Sequence, residues 1–300
     1  MGCHPGVSGA RRASAELSVV RTTSRRRAGI SRSIVARLRW AVGAAGLTIS
    51  EPADGLDRAL QRAVRLVRGR GGALAYRHET DSLWEAHLHE RLGHAWPCEA
   101  GREFEAQWAE VNASLEVLGL PMGRGTYGGW DDGDRELARS LWCLVRHLRP
   151  RTVVETGVAR GITSRVVLES LERNGIGHLW SIDLPALEPS FRTETGAAVP
   201  DRIRGRWTYL QGTSRRRLPG LLAELGELDL FIHDSSHTAR NLRFELEQAW
   251  AAVRRGAIVA DDIDRSNAFA EFVCAHPEAP SFSVDAHDRQ AIFGIILKGL

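Results

Sequence analysis

Asp234, His237, Asp261 and Asp262 are the residues of this sequence best suited to chemistry, and they follow two apolar runs of strand character. Leu228-Asp-Leu-Phe-Ile232 leads into His233-Asp234-Ser235-Ser236-His237, and Gly256-Ala-Ile-Val-Ala260 leads into Asp261-Asp262. If the two runs are neighbouring strands, three carboxylates converge on one rim of a sheet. Clustered like charges are costly unless they are protonated or neutralised by a cation. Oxygen ligands favour a hard divalent ion such as Mg²⁺, which makes Asp234, Asp261 and Asp262 candidate metal ligands. Such a cation lowers the pKa of an acceptor hydroxyl, and His237, three residues after Asp234, is the candidate base for its proton. Taken singly, each acid reads more readily as a helix cap and His237 as an inert first-turn residue; together they point to a site. Strand alternation predicts that His233 faces the opposite way.

A second constellation lies between Arg151 and Pro185. Thr152-Val153-Val154 has the β-branched character of a buried parallel strand. Glu155-Thr156-Gly157-Val158-Ala159-Arg160-Gly161 is a Gly-rich turn. A helix then carries Val167, Leu168 and Leu171 on one face and stops at Asn174-Gly175. Leu179-Trp180-Ser181-Ile182 is the next strand, with Asp183 at its carboxyl end, where ligands of open α/β sheets bind. Asp183 can accept both hydroxyls of a ribose. A dinucleotide site would show G-x-G-x-x-G. Here the turn is E-T-G-x-x-x-G, and the acid before its first glycine repels phosphates and suits a cationic ligand.

The remaining elements have to position these residues. Asp134 can cap a helix whose Leu137, Leu141, Leu144, Val145 and Leu148 form a core face before Pro150. Trp207-Thr-Tyr-Leu210 reads as a third strand, followed by Gly212-Thr213-Ser214 and a short helix over 218–225. Leu242, Leu246, Ala249, Trp250 and Val253 mark another helix. The run from Gln290 to Leu297 closes the chain as a long strand, expected to be antiparallel. Strands alternating with helices predict an α/β fold, a Rossmann-like and mostly parallel sheet whose last strand is antiparallel. Met122 to Gly133, with Tyr127 and Trp130, reads equally as a flexible connector or as a lid.

Upstream, residues 1–50 read as a disordered arginine-rich tail and residues 51–120 as a helical appendage or lid. Residues 1–40 hold nine arginines against Glu16 alone, and the rest of the chain carries a net charge of −5. The overall surplus of +3 therefore gives no case for nucleic acid. Leu56, Leu60, Val64 and Val67 fall on one helical face, and Phe104, Trp108, Val111, Leu115 and Leu118 on another. His87, His89, His94 and Cys98 lie close together, but their spacing matches no standard zinc pattern. Cys3, Cys98, Cys143 and Cys274 form no C-x-x-C pair, which points to a reducing, cytoplasmic setting without structural zinc. No apolar run reaches the ~18 residues of a membrane span.

The motifs E-T-G-x-x-x-G, S-I-D, F-I-H-D-S-S-H and I-V-A-D-D together resemble the class I S-adenosylmethionine-dependent methyltransferases of the Mg²⁺-dependent O-methyltransferase group. The pattern is most similar to the macrolide-sugar O-methyltransferases and their cephalosporin-hydroxylase-like relatives. The resemblance covers about residues 120–300, which makes 121–300 the expected methyltransferase domain. It implies S-adenosylmethionine held by Glu155, Thr156, Gly157, Gly161 and Asp183, with Gly212, Thr213, Ser214 and Asp234 beside it. It also implies Mg²⁺ on Asp234, Asp261 and Asp262, with His237 as the base. Where this chain has two Asp after the fifth strand, the family often has Glu or Asn. The expected partner is a small hydroxylated acceptor such as a sugar or natural product, and a homo-oligomer is allowed. The rival readings are a hydroxylase-like oxidoreductase of the same fold and a non-catalytic cofactor- or RNA-binding protein.

Overall fold

Two helices come first, α1 (Trp84–Leu92) and α2 (Glu99–Val117). A hairpin of β1 (Gly123–Tyr127) and β2 (Trp130–Asp132) follows, then α3 (Arg135–Leu148). Strands and helices then alternate: β3 (Thr152–Thr156), α4 (Ile162–Asn174), β4 (His178–Asp183), the single turn α5 (Pro189–Arg192) and β5 (Trp207–Gln211). The series continues with α6 (Ser214–Leu225), β6 (Leu228–His233), α7 (Ala239–Ala252), β7 (Val253–Ala260) and α8 (Ala268–Ala275). It closes with β8 (Ser281–Ala286) and β9 (Ala291–Lys298). The computed structural model describes residues 78–127, 130–184, 186, 189–286 and 291–300, and helical positions 41, 42, 45, 46, 49, 52, 55 and 56. The tail over residues 1–40 and the Leu60, Val64 and Val67 face lie outside the described residues. Among the described residues, no helix is long and apolar enough to cross a membrane.

The sheet order is β5-β4-β3-β6-β7-β9-β8. The strands from β3 to β7 are parallel, and β9 runs antiparallel to both of its neighbours. This is the expected Rossmann-like α/β sheet. Period-two alternation gives it two buried faces. Val153 lies in register with Leu179 and Leu230, and Leu230 with Ala257; these join the core beneath α1, α3 and α4. Val154 lies in register with Phe231, and Phe231 with Ile258; these join the core beneath α6, α7 and α8. A third cluster seats Phe104, Val111 and Leu115 of α2 on Trp142 of α3 and on Ile162 and Val166 of α4. Trp142 Nε1 donates to the carbonyl of Ala100 at 2.8 Å, so the one polar atom of that buried indole is satisfied.

Three elements differ from the sequence expectation. Leu118 ends α2 as its C-cap and is exposed, so the apolar face stops at Leu115. Ser281–Ala286 is a strand, signalled by the alternation Phe282, Val284, Ala286, whose side chains are all buried. Residues 123–132 form a hairpin, although G-R-G-T-Y offers no apolar alternation.

That hairpin is held from outside by Arg160, which projects from the Gly-rich turn. Its Nη1 donates to the Pro121 carbonyl (2.8 Å) and to Asp132 Oδ2 (3.0 Å), and its Nη2 donates to the Thr126 carbonyl (3.0 Å). Nε donates to Glu194 Oε2 at 2.8 Å, and the guanidinium sits 5.3 Å from the Tyr127 ring centre. Arg160 and Asp132 are both buried, so removing the cation takes the neutralising charge from a buried carboxylate and leaves the Pro121 and Thr126 carbonyls without this donor. Arg160→Ala is expected to lower the free energy of unfolding by about 3–5 kcal/mol in urea titrations. A loss within the range of an exposed ion pair, under about 1 kcal/mol, would contradict this role.

Candidate active site

Strand register builds the rim. Thr156 pairs with His233, and His233 with Ala260, so Gly157, Asp234 and Asp261 step off three adjacent strands together. Backbone bonds fix that step: Asp234 N donates to the Thr156 carbonyl (2.8 Å) and Asp261 N to the His233 carbonyl (2.9 Å). Gly157 has φ 90°, and a Cβ on it would lie 1.9 Å from the carbonyl oxygen of Asp234. Only glycine lets the turn after β3 pass so close to the turn after β6. The strand order reverses between β3 and β6, the point where open α/β sheets bind ligands.

Around the turn, the predicted residues divide by role. Asp183, half-buried at the end of β4, accepts from Ala159 N at 3.2 Å, which binds the carboxylate to the Gly-rich turn. Tyr127 is buried and packs on Phe191 with ring centres 5.3 Å apart. Burial raises the Tyr127 phenol, as does the nearby Asp183 charge. Gly161, with φ 82°, abuts Gly196 and Val199. Glu155 is fully buried, and its Oε2 accepts from Ser164 Oγ (2.6 Å) and Ser181 Oγ (2.7 Å), while Oε1 is buried without a partner. Burial pushes this carboxyl from 4.5 up to about 7, against the two hydroxyl donors. Thr156 is also enclosed, its hydroxyl donating to Glu245 Oε2 at 2.5 Å. Past β5, Gly212 N donates to the Asp183 carbonyl at 2.9 Å, the Thr213 hydroxyl caps α6, and the Ser214 hydroxyl donates to Asn241 Oδ1 at 3.3 Å.

On the other side of Gly157, Asp234, His237 and Asp261 each offer a ligand atom, all within 4.8 Å of one another. The expected trio of carboxylates is arranged differently: Asp262 lies outside that group, with its Oδ2 3.6 Å from His237 Nε2 and 3.4 Å from Arg265 Nε. α7 is capped by Thr238, and Asp262 stands at the N-cap position of the short 3-10 turn over Ile263–Arg265 with a left-handed φ of 51° but makes no side-chain cap bond there. His237 precedes α7, its side chain 10% exposed. Burial lowers its pKa, opposed by Asp262 and Asp261. His237 Nδ1 is buried without a hydrogen-bond partner among the described residues.

His233 does not face away from His237. It shares the α7 side of the sheet with Phe231, and the 234–238 loop folds back over it, so the two imidazoles meet edge-on at 5.5 Å. Its Nδ1 lies 2.6 Å from Glu245 Oε2, and the same carboxylate accepts from Ser235 Oγ (2.8 Å) and Asn241 Nδ2 (2.9 Å). Burial would raise the Glu245 carboxyl, but the His233 ring and the surrounding donors hold it at about 2.

Residues 154–263, from β3 to the turn after β7, match the sequence model of a family described as a methyltransferase domain. The likeness is to a methyltransferase domain. The resemblance to class I methyltransferases read from the motifs holds for this stretch. No curated protein matches the chain significantly. Among solved structures, the O-methyltransferase from Bacillus cereus in complex with SAH is 14% identical, with a TM-score of 0.45, 71% of this chain covered and 97% of that one. The O-methyltransferase TomG from Streptomyces achromogenes, involved in tomaymycin synthesis and in complex with SAM, is 14% identical, with a TM-score of 0.42 and coverages of 71% and 95%. At such scores these likenesses bear on neither activity nor substrate.

Two residues of the matched stretch escaped sequence reasoning. Glu245 sits between Leu242 and Leu246 on the buried face of α7, and an acid on an apolar helical stripe was its signal. Arg160, inside the Gly-rich turn, had none. Glu155 supplies a test of the enclosed turn. An acid whose folded pKa is raised loses stability as pH climbs from its unfolded value of 4.5 to about 7. In the ligand-free protein, the stability gained by Glu155→Gln over the parent should therefore grow between about pH 5 and pH 7.5, by on the order of 2–3 kcal/mol. A gap independent of pH in urea unfolding would mean that the carboxyl is not held neutral.

Proposed function

We propose that the chain is an S-adenosylmethionine-dependent O-methyltransferase that methylates a hydroxyl of a small molecule with the help of a divalent metal ion. The observation that carries this reading is the common rim. The Gly157 turn and Asp183 lie on one side of the switch point, and Asp234, His237 and Asp261 on the other. In this reading residues 121–300 hold the chemistry, and the helices within 51–120 cover it.

The residues suit both groups. Gly157 and Gly161 let the turn close against the Asp234 carbonyl and against Gly196, which fixes its backbone beside the switch point; Asp183 suits a ribose diol, and buried Glu155 suits a cation, whose charge favours its ionised form. When bound, the cofactor supplies a methyl group activated on a sulfonium. Asp234 and Asp261 supply the hard oxygen donors that a Mg²⁺-like ion takes. When bound, that ion supplies positive charge that lowers the pKa of the acceptor hydroxyl.

His237 performs the proton step. With Nε2 turned towards Asp262 at 3.6 Å, Nδ1 is the nitrogen left to take the acceptor's proton. Asp262 orients the imidazole and stabilises the imidazolium that forms. This gives Asp262 a positioning role in place of the metal-ligand role expected from the resemblance. Hydroxylated sugars and natural products are the acceptor class that fits this chemistry.

His237→Ala is expected to lower kcat by ~10²–10⁴ while leaving S-adenosylmethionine affinity and divalent-ion affinity unchanged. Loss of ion binding in that variant would make His237 a ligand instead of the base. Exhaustive chelation should abolish turnover and Mg²⁺ should restore it; full activity after chelation would overturn the metal-assisted reading.

A further inference from the structure

Away from the rim, the fold gathers a second set of ligating side chains from parts of the sequence that are not adjacent. His89 lies on α1, Cys98 stands at the N-cap of α2, and Cys143 and His147 stand one turn apart on α3. Ligand atoms of His89, Cys98 and His147 all lie within 4.8 Å of one another, and the His89 and His147 rings meet edge-on at 4.9 Å. The Cys143 side chain stands on the same face of α3 as His147, one turn before it, and the His94 ring lies 4.1 Å from that of His147. His89, Cys98 and Cys143 are buried, and His147 is half-buried.

The hydrogen bonds define what is missing at the centre. His89 Nδ1 lies 2.6 Å from the Glu85 carbonyl, which can only accept, so Nδ1 carries a proton. In the neutral ring, Nε2 then presents a lone pair, and it points at Cys98 Sγ 3.1 Å away. That sulfur already accepts from Gly101 N at 3.1 Å, at the start of a 19-residue helix. His89 Nε2 and Cys98 Sγ, 3.1 Å apart, thus face each other as donor atoms that a proton or a cation can bridge. His147 adds a further imidazole, whose Nε2 is buried with no hydrogen-bond partner among the described residues. A backbone carbonyl on the far nitrogen of a histidine is also the usual outer support of a metal-bound imidazole.

We propose that His89, Cys98 and His147, with Cys143 as the fourth ligand, form a zinc site that ties α1 and α2 to α3. Two sulfurs and two imidazole nitrogens are the donor set of tetrahedral structural Zn²⁺. The ligand atoms of His89, Cys98 and His147, all within 4.8 Å of one another, stand at separations that Zn–S bonds of ~2.3 Å and Zn–N bonds of ~2.0–2.1 Å can span with small movements, whereas Cys143, outside that group, has to swing in from α3. The sequence spacing argued against zinc because half of the ligands come from α3, some 45 residues beyond Cys98. The site is independent of the methyl-transfer reading, and its oxygen-free donor set distinguishes it from the rim.

The test is metal content and Co²⁺ spectroscopy on the full chain. The purified protein is expected to hold about one tightly bound zinc per chain. Exchange for Co²⁺ should give thiolate-to-metal charge transfer and the visible bands of a tetrahedral site. Those bands should persist in Asp234→Asn and vanish in Cys98→Ser and His147→Ala. Because either of the last two variants could fail to fold, the spectrum of the parent protein is decisive alone. Absence of thiolate–cobalt bands in the folded parent would overturn the proposal. A Cys98–Cys143 disulfide in the freshly purified protein, or a metal-free imidazolium–thiolate pair detected by NMR, would do the same.

Discussion

A carboxylate with no solvent exposure holds the candidate active-site rim together. Glu245 projects from α7 into the carboxyl ends of β3 and β6 and takes hydrogen bonds from Thr156, His233, Ser235 and Asn241. Burying a carboxylate costs several kcal/mol unless its oxygens are fully engaged, and here both are. The charge is thereby locked to one arrangement of two strand ends and the 234–238 loop. That arrangement sets His237 over His233 and sets Asp234 beside Gly157. The reactive groups stand on a rigid edge because a non-reactive acid behind them tolerates no other geometry.

The segments before the sheet, proposed above as its cover, are fastened by charges as well as by apolar contacts. Arg160 reaches out of the Gly-rich turn to three segments, residues 121–126, Asp132 and Glu194. On the far side, α2 has its own small core against α3 and α4. The His89, Cys98, Cys143 and His147 cluster lies where the helices leading to that cover meet α3. Positions proposed to contact a cofactor and positions that fasten the surrounding segments are thus interleaved within one seven-residue turn.

Much of the sheet was legible because its signals are local. β-branched and apolar runs ended at Gly or Asp, and helical stripes recurred at three and four residues, so β3, β4, β6, β7 and their helices could be read directly. The convergence of Asp234 with Asp261 required only that β6 and β7 be neighbours, which they are. What the sequence concealed was orientation. Thr156 looked like a ligand residue and is enclosed by Glu245, whereas His233 looked turned away and lies against His237. Asp262 looked equivalent to Asp261, but its left-handed backbone aims it at His237 and Arg265. Such differences arise from long-range packing, as does the meeting of Cys98 with His89 and His147, and no periodicity encodes them.

The central claim is that the turn at Gly157 and the acid at Asp183 form an S-adenosylmethionine site. Calorimetric titration of S-adenosylhomocysteine, S-adenosylmethionine and NAD into the parent protein and Asp183→Ala tests it most directly. The account predicts binding of both adenosyl ligands, no comparable binding of NAD, and a loss of about 1–3 kcal/mol in the variant, the scale of charge-assisted hydrogen bonds to a ribose. Equal affinity in the parent and Asp183→Ala, or preferential binding of NAD, would contradict it.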